Sequence, residues 1–477
     1  MDIKLQNTLT GEKERFSSIS DGTVSMYHCG PTVYGRQHIG NLSMFVFTDV
    51  LRRTFEYFDY KVNQVINITD FGHLSGDNEG NADIGEDKMT KGLKAEGLEI
   101  NMENMKVLAK KYADIFKADL EQLNIKKPSH FPFASDYIEE QKKLIEKLEE
   151  KGLAYIISDG VYFDTEKFPN YGKLGPHSVK DFAGQARISE NLEKKNPKDF
   201  VLWKISEVPP MSDIGKQELG WESKWGRGFP GWHIECTAMI FALLGEQIDI
   251  HTGGIEHIGV HHNNEIAQAE AASGKSPFSR FWLHREHIRI DDTKLSKSTG
   301  NVLYLSDLKE RGIHPLSYRY WLLTSRYNTP SNFTWEAVEG AQVALEKIVA
   351  EYAEKPRMTL GSGIAEGEPK VIFSFSEAIA DDLNTPVAIA LLQEINDKET
   401  INKMDQVLGL NIKKLAEQIR EIPDEIKDLQ KQRDEARKNN DYKLSDELRD
   451  KIEHAGFMVK DTGNSSLILR SLSTIAQ

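Results

Sequence analysis

The sequence predicts an α/β protein in which a parallel sheet is interrupted by an inserted segment and followed by helices. Three observations predict this. A short apolar strand at 23–27 leads through a loop into a helix-spaced run, then into a second strand at 62–69. A further strand at 247–251 runs into Gly253-Gly254, far along the chain. From Pro315 onward the apolar pattern is helical. A strand–helix–strand unit builds parallel sheets, because its crossover helix returns the chain to the same end of the sheet.

Each element follows from local pattern. Leu42, Phe45, Val46 and Val50 recur at three-to-four spacing, the mark of an amphipathic helix. Residues 128–213 break the strand–helix rhythm with a helix at 137–151 and a hairpin region at 154–163, so they read as an insertion. Residues 354–370 are rich in Gly, Pro and charge and read as a surface linker. Residues 424–453 form a charged helical pair, broken near Asn439-Asn440-Asp441. The polar stretch 75–86 reads as a loop.

Composition narrows the class. A chain of 477 residues with 39% hydrophobic and 28% charged residues can hold several domains, each burying its own core. Two cysteines cannot form a disulfide framework, so a reducing cytoplasm is the expected compartment. No apolar run is long enough to span a bilayer, and the opening Met1-Asp2-Ile3-Lys4 shows no signal-peptide pattern. A net charge of −14 argues against indiscriminate nucleic-acid coating. It leaves room for a polyanion held on a local basic patch.

Three constellations carry chemistry. His38-Ile39-Gly40-Asn41 opens the first helix. Unsatisfied N–H groups and the helix dipole favour phosphate there, and Gly40 allows close backbone approach. His38 and Asn41 add hydrogen-bond donors. Lys294-Leu295-Ser296-Lys297-Ser298 offers cations on a segment of small residues, suited to charge that develops on departing phosphates. Both cysteines complete the third set. Cys29 lies just before the helix motif, and Cys236 precedes His261 and Glu265, which project from one helix face. Two thiolates, an imidazole and a carboxylate suit Zn²⁺, with His262 as the alternative to His261.

Together these motifs resemble the cysteinyl-tRNA synthetases, over nearly the whole chain. The resemblance implies an α/β fold: a Rossmann-like parallel nucleotide-binding sheet with an insertion domain, followed by an α-helical bundle and a small C-terminal anticodon-binding region. The implied boundaries are 1–127 with 214–285 for the catalytic domain and 128–213 for the connective insertion. The signature-loop and stem-contact region is 286–330, the bundle 331–423 and the anticodon-binding region 424–477. The implied reaction activates L-cysteine with ATP and Mg²⁺ and esterifies tRNA(Cys), with one Zn²⁺ per chain and a monomeric enzyme. His38, Lys294 and Lys297 would be catalytic. His38, Gly40, Asn41, Gly253, Gly254, Glu256 and Lys297 would bind ATP, with Glu256 on the ribose. Gly30, Thr69, Trp232 and His251 would hold cysteine. Cys29, Cys236, His261 and Glu265 would hold the metal, and Lys431, Arg433, Arg437 and Lys438 would meet tRNA. Two rival readings are a ligase joining cysteine to an amino sugar and an inactive tRNA-binding relative. Residues 424–477 argue against the first, and the intact motifs against the second.

Overall fold

The computed structural model describes residues 1–72, 87–175, 191–205, 219–290, 293–294, 302–354, 368–395, 397–462 and 465–476. Its centre is a four-stranded, all-parallel sheet in the order Ser279–Arg285, Ile248–Gly254, Thr23–His28, Lys61–Ile66. The strands are apolar because both faces are covered: Val24, Met26, Ile250 and Leu283 are wholly buried. The strand Ile248–Gly254 runs three residues beyond the expected 251, through Thr252 and Gly253 to Gly254.

The helix Ile39–Tyr57 crosses between Thr23–His28 and Lys61–Ile66. Its apolar stripe is as expected, but Ser43, Thr48, Asp49 and Arg53 are buried too. The helix is covered on its far side as well, where Pro315–Leu323 and Lys398–Leu408 pack on it. Polar groups at that second interface must find partners. Asp49 accepts from Arg319 Nη2 at 2.6 Å, Arg53 Nε at 2.7 Å and the Lys126 backbone N–H at 2.8 Å. Arg319 also donates to the carbonyls of Leu408 and Leu123, at 2.8 and 3.0 Å. Those two arginines hold the Asp49 carboxyl below its ordinary range although burial alone would raise it.

The opposite face of the sheet carries a second core. It contains Tyr27, Cys29, Ile234, Cys236, Ile266 and Trp282. The helices Trp232–Leu243 and His261–Ser273 pack on each other there. Beside them Ile138–Glu150 covers an antiparallel sheet ordered Ala154–Ile157, Gly160–Phe163, Phe200–Ile205, Gly228–Pro230.

Near the C-terminus, Asp424–Lys438 and Tyr442–His454 form the expected helical pair. A hairpin of Phe457–Thr462 with Ser465–Arg470, which the sequence pattern had not suggested, closes it. The linker assigned to 354–370 falls mostly outside the described residues; its end, from Glu368, opens the helix Glu368–Ala380. The loop assigned to 75–86 also lies outside them.

Candidate active site

A cavity of about 290 Å³ opens at the carboxyl ends of the parallel strands. Ligands of such sheets bind there, because the strand ends and helix starts expose backbone donors. Cys29 and Gly30 lead from the strand Thr23–His28 into this cavity, Gly254 ends Ile248–Gly254, and Arg285 ends Ser279–Arg285. His38 and Gly40 line it from the first helical turn.

His38 caps its own helix: Nδ1 accepts from the Asn41 backbone N–H at 3.1 Å. An accepting Nδ1 puts the neutral ring's proton on Nε2, the donor tautomer toward a phosphate oxygen. The Asn41 amide turns sideways and donates to Gln37 Oε1 at 2.7 Å. Asn41 therefore braces the loop before the helix through its side chain.

Gly30 is fixed by close approach. Its N–H donates to Asn67 Oδ1 at 2.7 Å, and a Cβ there would lie 1.6 Å from the Asn67 carbonyl oxygen. Asn67 Nδ2 donates to Thr69 Oγ1, and Thr69 donates to Glu235 Oε2, both at 3.2 Å. Glu235 is wholly buried, and burial, with Cys236 and Asp70 nearby, pushes its carboxyl well above the usual range. Trp232 lies over the His261 ring, with centroids 4.1 Å apart, and lines the cavity.

Behind Cys29 the thiols, imidazole and carboxylate come together. Cys29, Cys236, His261 and Glu265 are all buried, with one ligand atom each, all within 4.8 Å of one another. Glu265 Oε1 is 2.8 Å from His261 Nε2 and 3.8 Å from Cys29 Sγ, and Cys236 Sγ is 3.7 Å from His261 Nε2. Tetrahedral bonds of ~2.0–2.3 Å put neighbouring ligand atoms roughly 3.3–3.8 Å apart, so this set fits a Zn²⁺ after a small opening of the His261–Glu265 contact. Outer partners aim it: His233 Nδ1 meets His261 Nδ1 at 2.9 Å, and His251 Nε2 meets Glu265 Oε2 at 2.8 Å. Burial raises the Glu265 pKa, but His251 and His261 outweigh it and hold the carboxyl at about 2. Burial also pushes the Cys29 thiol up, whereas Cys29 and His261 bring Cys236 down to about 6. A second grouping, Cys29, His251, His262 and Glu265, shares two of these residues. His262 Nε2 is 3.3 Å from Cys29 Sγ, while its Nδ1 meets His284 Nε2 at 2.8 Å.

Not every expected residue reaches the cavity wall. Glu256 and Gly254 do; Gly253 is packed under the rings of His257 and His262. His251 lies behind Glu265, stacked on Trp282. Lys297 is outside the described residues, and Lys294 is placed only as backbone in the strand Thr293–Lys294. The basic cluster needs correction. Arg433 is 1% exposed, and its guanidinium meets Asp461 at 2.8 Å and Ser466 Oγ, so it faces inward and cannot serve tRNA phosphate. Arg437 pairs with the same Asp461 at 3.1 Å. Lys431 and Lys438 are exposed. Sequence reasoning missed Asn67, Glu235 and Arg285. Only Glu235, beside Cys236, carried a local signal.

The parallel sheet, the helix start with its unsatisfied N–H groups and the cavity at the strand ends are the geometry of a nucleotide-binding core. Residues 15–343 match the family described as tRNA synthetases class I (C) catalytic domain. Residues 420–465 match the cysteinyl-tRNA ligase anticodon binding domain. The chain is similar to the cysteine–tRNA ligase of Treponema denticola, at 38% identity over 97% of this chain and 98% of that one. It is also similar to cysteine–tRNA ligase 1 of Burkholderia lata, at 38% identity over 97% and 96%. The chain belongs to the cysteine–tRNA ligase family. In fold it is similar to the methionyl-tRNA synthetase of Mycobacterium tuberculosis bound by methionyl-adenylate, with a TM-score of 0.56 at 13% identity, over 83% of this chain and 91% of that one.

Proposed function

We infer that the chain activates L-cysteine with MgATP to cysteinyl-adenylate and transfers the cysteinyl group to the 3′ end of tRNA(Cys). The observation that carries this reading is the sharing of Cys29. It belongs to the buried ligand set and also lines the cavity at the first turn of Ile39–Tyr57. An amino acid seated at the thiols therefore presents its carboxylate to a nucleotide at the helix start. The matches at both ends of the chain, 15–343 and 420–465, support a tRNA acceptor over an amino sugar.

Cys29, Cys236, His261 and Glu265 would hold one Zn²⁺. When bound, the ion supplies a seat for a deprotonated thiol, which a serine hydroxyl fills poorly because it is far less acidic. Gly30 and Trp232 shape the space for the substrate's backbone, Thr69 braces it from behind through Asn67 and Glu235, and His251 fixes the orientation of Glu265. His38 donates from Nε2 to a phosphate oxygen, and Gly40 lets the nucleotide approach the backbone. Glu256 takes the ribose hydroxyls. Lys294 and Lys297 meet the β- and γ-phosphates as pyrophosphate leaves; interactions made only then raise kcat. The bundle at 331–423 joins this core to the anticodon-binding region at 424–477. Two buried free cysteines, and no described helix long and apolar enough to cross a membrane, support a reducing cytoplasm as its compartment. A monomeric enzyme belongs to the same reading.

The test is ATP–pyrophosphate exchange without tRNA, with zinc quantified in the same preparation. Cysteine should support exchange, serine should support far less, and about one zinc per chain should be found. Exchange that works equally with serine, or only with an amino-sugar acceptor, would sink the reading.

A further inference from the structure

The cavity wall holds a cation that none of the roles above uses. Arg285 ends the strand Ser279–Arg285, in register with Gly254, and lines the cavity beside Gly40 and Ser43. It is 5% exposed. Its Nε donates to Ser43 Oγ at 2.8 Å, and the Ser43 hydroxyl donates on to the Gly40 carbonyl at 2.6 Å. The guanidinium is thus tied to the first turn of Ile39–Tyr57 from beneath. Tyr318 braces the same turn, donating to the Ile39 carbonyl at 2.9 Å.

Arg285 differs from the other buried arginines. Arg319 and Arg53 share the Asp49 carboxylate and fill their remaining donors with backbone carbonyls. Among the described residues Arg285 has no carboxylate partner, only a serine hydroxyl. Burial lowers its pKa to about 10, so it stays charged at neutral pH. A buried charge without a counter-ion is costly, and here it sits beneath a helix N-terminus that already carries positive potential. Holding Ser43 in place needs only a neutral donor. A permanent cation in this position fits an anionic ligand that completes the pair.

We propose that Arg285 binds the phosphate chain of the nucleotide as a fixed cation beneath the first turn of Ile39–Tyr57. The proposal rests on the reading of this cavity as the ATP site. It divides the labour among cations. A guanidinium held in place before the reaction acts on bound ATP and on the transition state alike, so it lowers KM more than it raises kcat.

The test uses calorimetric titration of the full chain with ATP and, separately, with adenosine, which lacks phosphate. Arg285→Met should weaken ATP binding about 10- to 100-fold, as for loss of one charge-assisted hydrogen bond, and leave adenosine binding unchanged. Arg285→Lys keeps the charge without the fork and should fall between Met and the parent. In pyrophosphate exchange, the KM for ATP should rise more than kcat falls. Unchanged ATP affinity overturns the proposal, and so does equal loss of ATP and adenosine, which marks a merely structural residue. If Arg285→Met does not fold, the Lys variant decides by the same ATP-to-adenosine comparison. A parent chain that binds neither ATP nor adenosine is a separate failure, that of the ATP site itself.

Discussion

Two clusters of buried charge lie on opposite faces of the central sheet, and they are built differently. On the helix-bundle face, Asp49 is enclosed by Arg53, Arg319 and the Lys126 N–H, and the arginines turn their other donors to carbonyls. Every strong group points at another group of the chain. On the other face, Cys29, Cys236, His261 and Glu265 point toward one another around a shared centre, and the hydrogen bonds of His233 and His251 only aim them. The first arrangement is closed and holds helices together. The second converges on a point and is suited to an ion. Burial and charge alone do not separate a structural network from a ligand site; the direction of the donors and lone pairs does.

The comparison can be broken most forcefully at Asp49. Asp49→Ala leaves two buried guanidinium groups without their carboxylate and should destabilise the fold by about 3–5 kcal/mol in urea unfolding. Zinc content of the folded fraction should not change. A loss under about 1 kcal/mol would show that the cluster is not closed as described. The same residue sets a pH signature. Its folded pKa lies below the unfolded value of about 3.9, so its contribution is present above that pH and is lost as pH falls through the folded pKa. The stability gap between the parent and Asp49→Asn should hold steady from neutral pH to about 5 and close only in stronger acid.

The convergent cluster should respond the other way, in metal affinity before stability. Cys236→Ser should remove stoichiometric zinc and raise the KM for cysteine while ATP binding persists. His251→Ala, behind Glu265, should weaken zinc affinity about 10- to 100-fold, or about 1.4–2.7 kcal/mol, measured by competition with a chelator. Unfolding of His251→Ala with zinc still tightly bound would reverse the assignment of the two clusters.

The smallest effects belong to the C-terminal helices. Lys431→Ala with Lys438→Ala should flatten the log–log salt dependence of tRNA binding, by roughly 0.7–0.9 for each phosphate no longer neutralised. Arg433→Ala should instead loosen the packing of Asp424–Lys438 on the terminal hairpin, since its guanidinium is tied to Asp461 and Ser466. A melting shift for Arg433→Ala without a change in salt slope would separate the two roles.

What the sequence made legible follows the same division. His38 with Gly40, and His261 with Glu265, are readable because the chemistry needs fixed spacing on one helix. Cys29 and Cys236 were readable because the chain has no other cysteines. Strand and helix positions followed from apolar period, within a few residues. The buried face carrying Asp49 and Arg53 was not legible, because a polar residue at helix spacing looks the same whether water or a second helix covers it. Arg433 was misread for that reason. Arg285 had no local signal, since its meaning depends on Ser43 and Gly40, brought beside it by the sheet. The hairpin Phe457–Thr462 with Ser465–Arg470 was legible in principle. Phe457 and Val459 alternate inward there, but the charged helices ahead of it mask the pattern.

Position 30 has a genetic consequence. Any residue other than glycine brings a Cβ to 1.6 Å from the Asn67 carbonyl oxygen, a backbone atom that no rotamer change can move aside. Every missense change at that codon, alanine included, meets the same wall. Drift at this site is therefore closed by geometry whatever amino acid the enzyme selects. A saturation library screened for growth should return glycine alone at position 30, while Asn41, which meets Gln37 through its side chain, should admit other hydrogen-bonding residues.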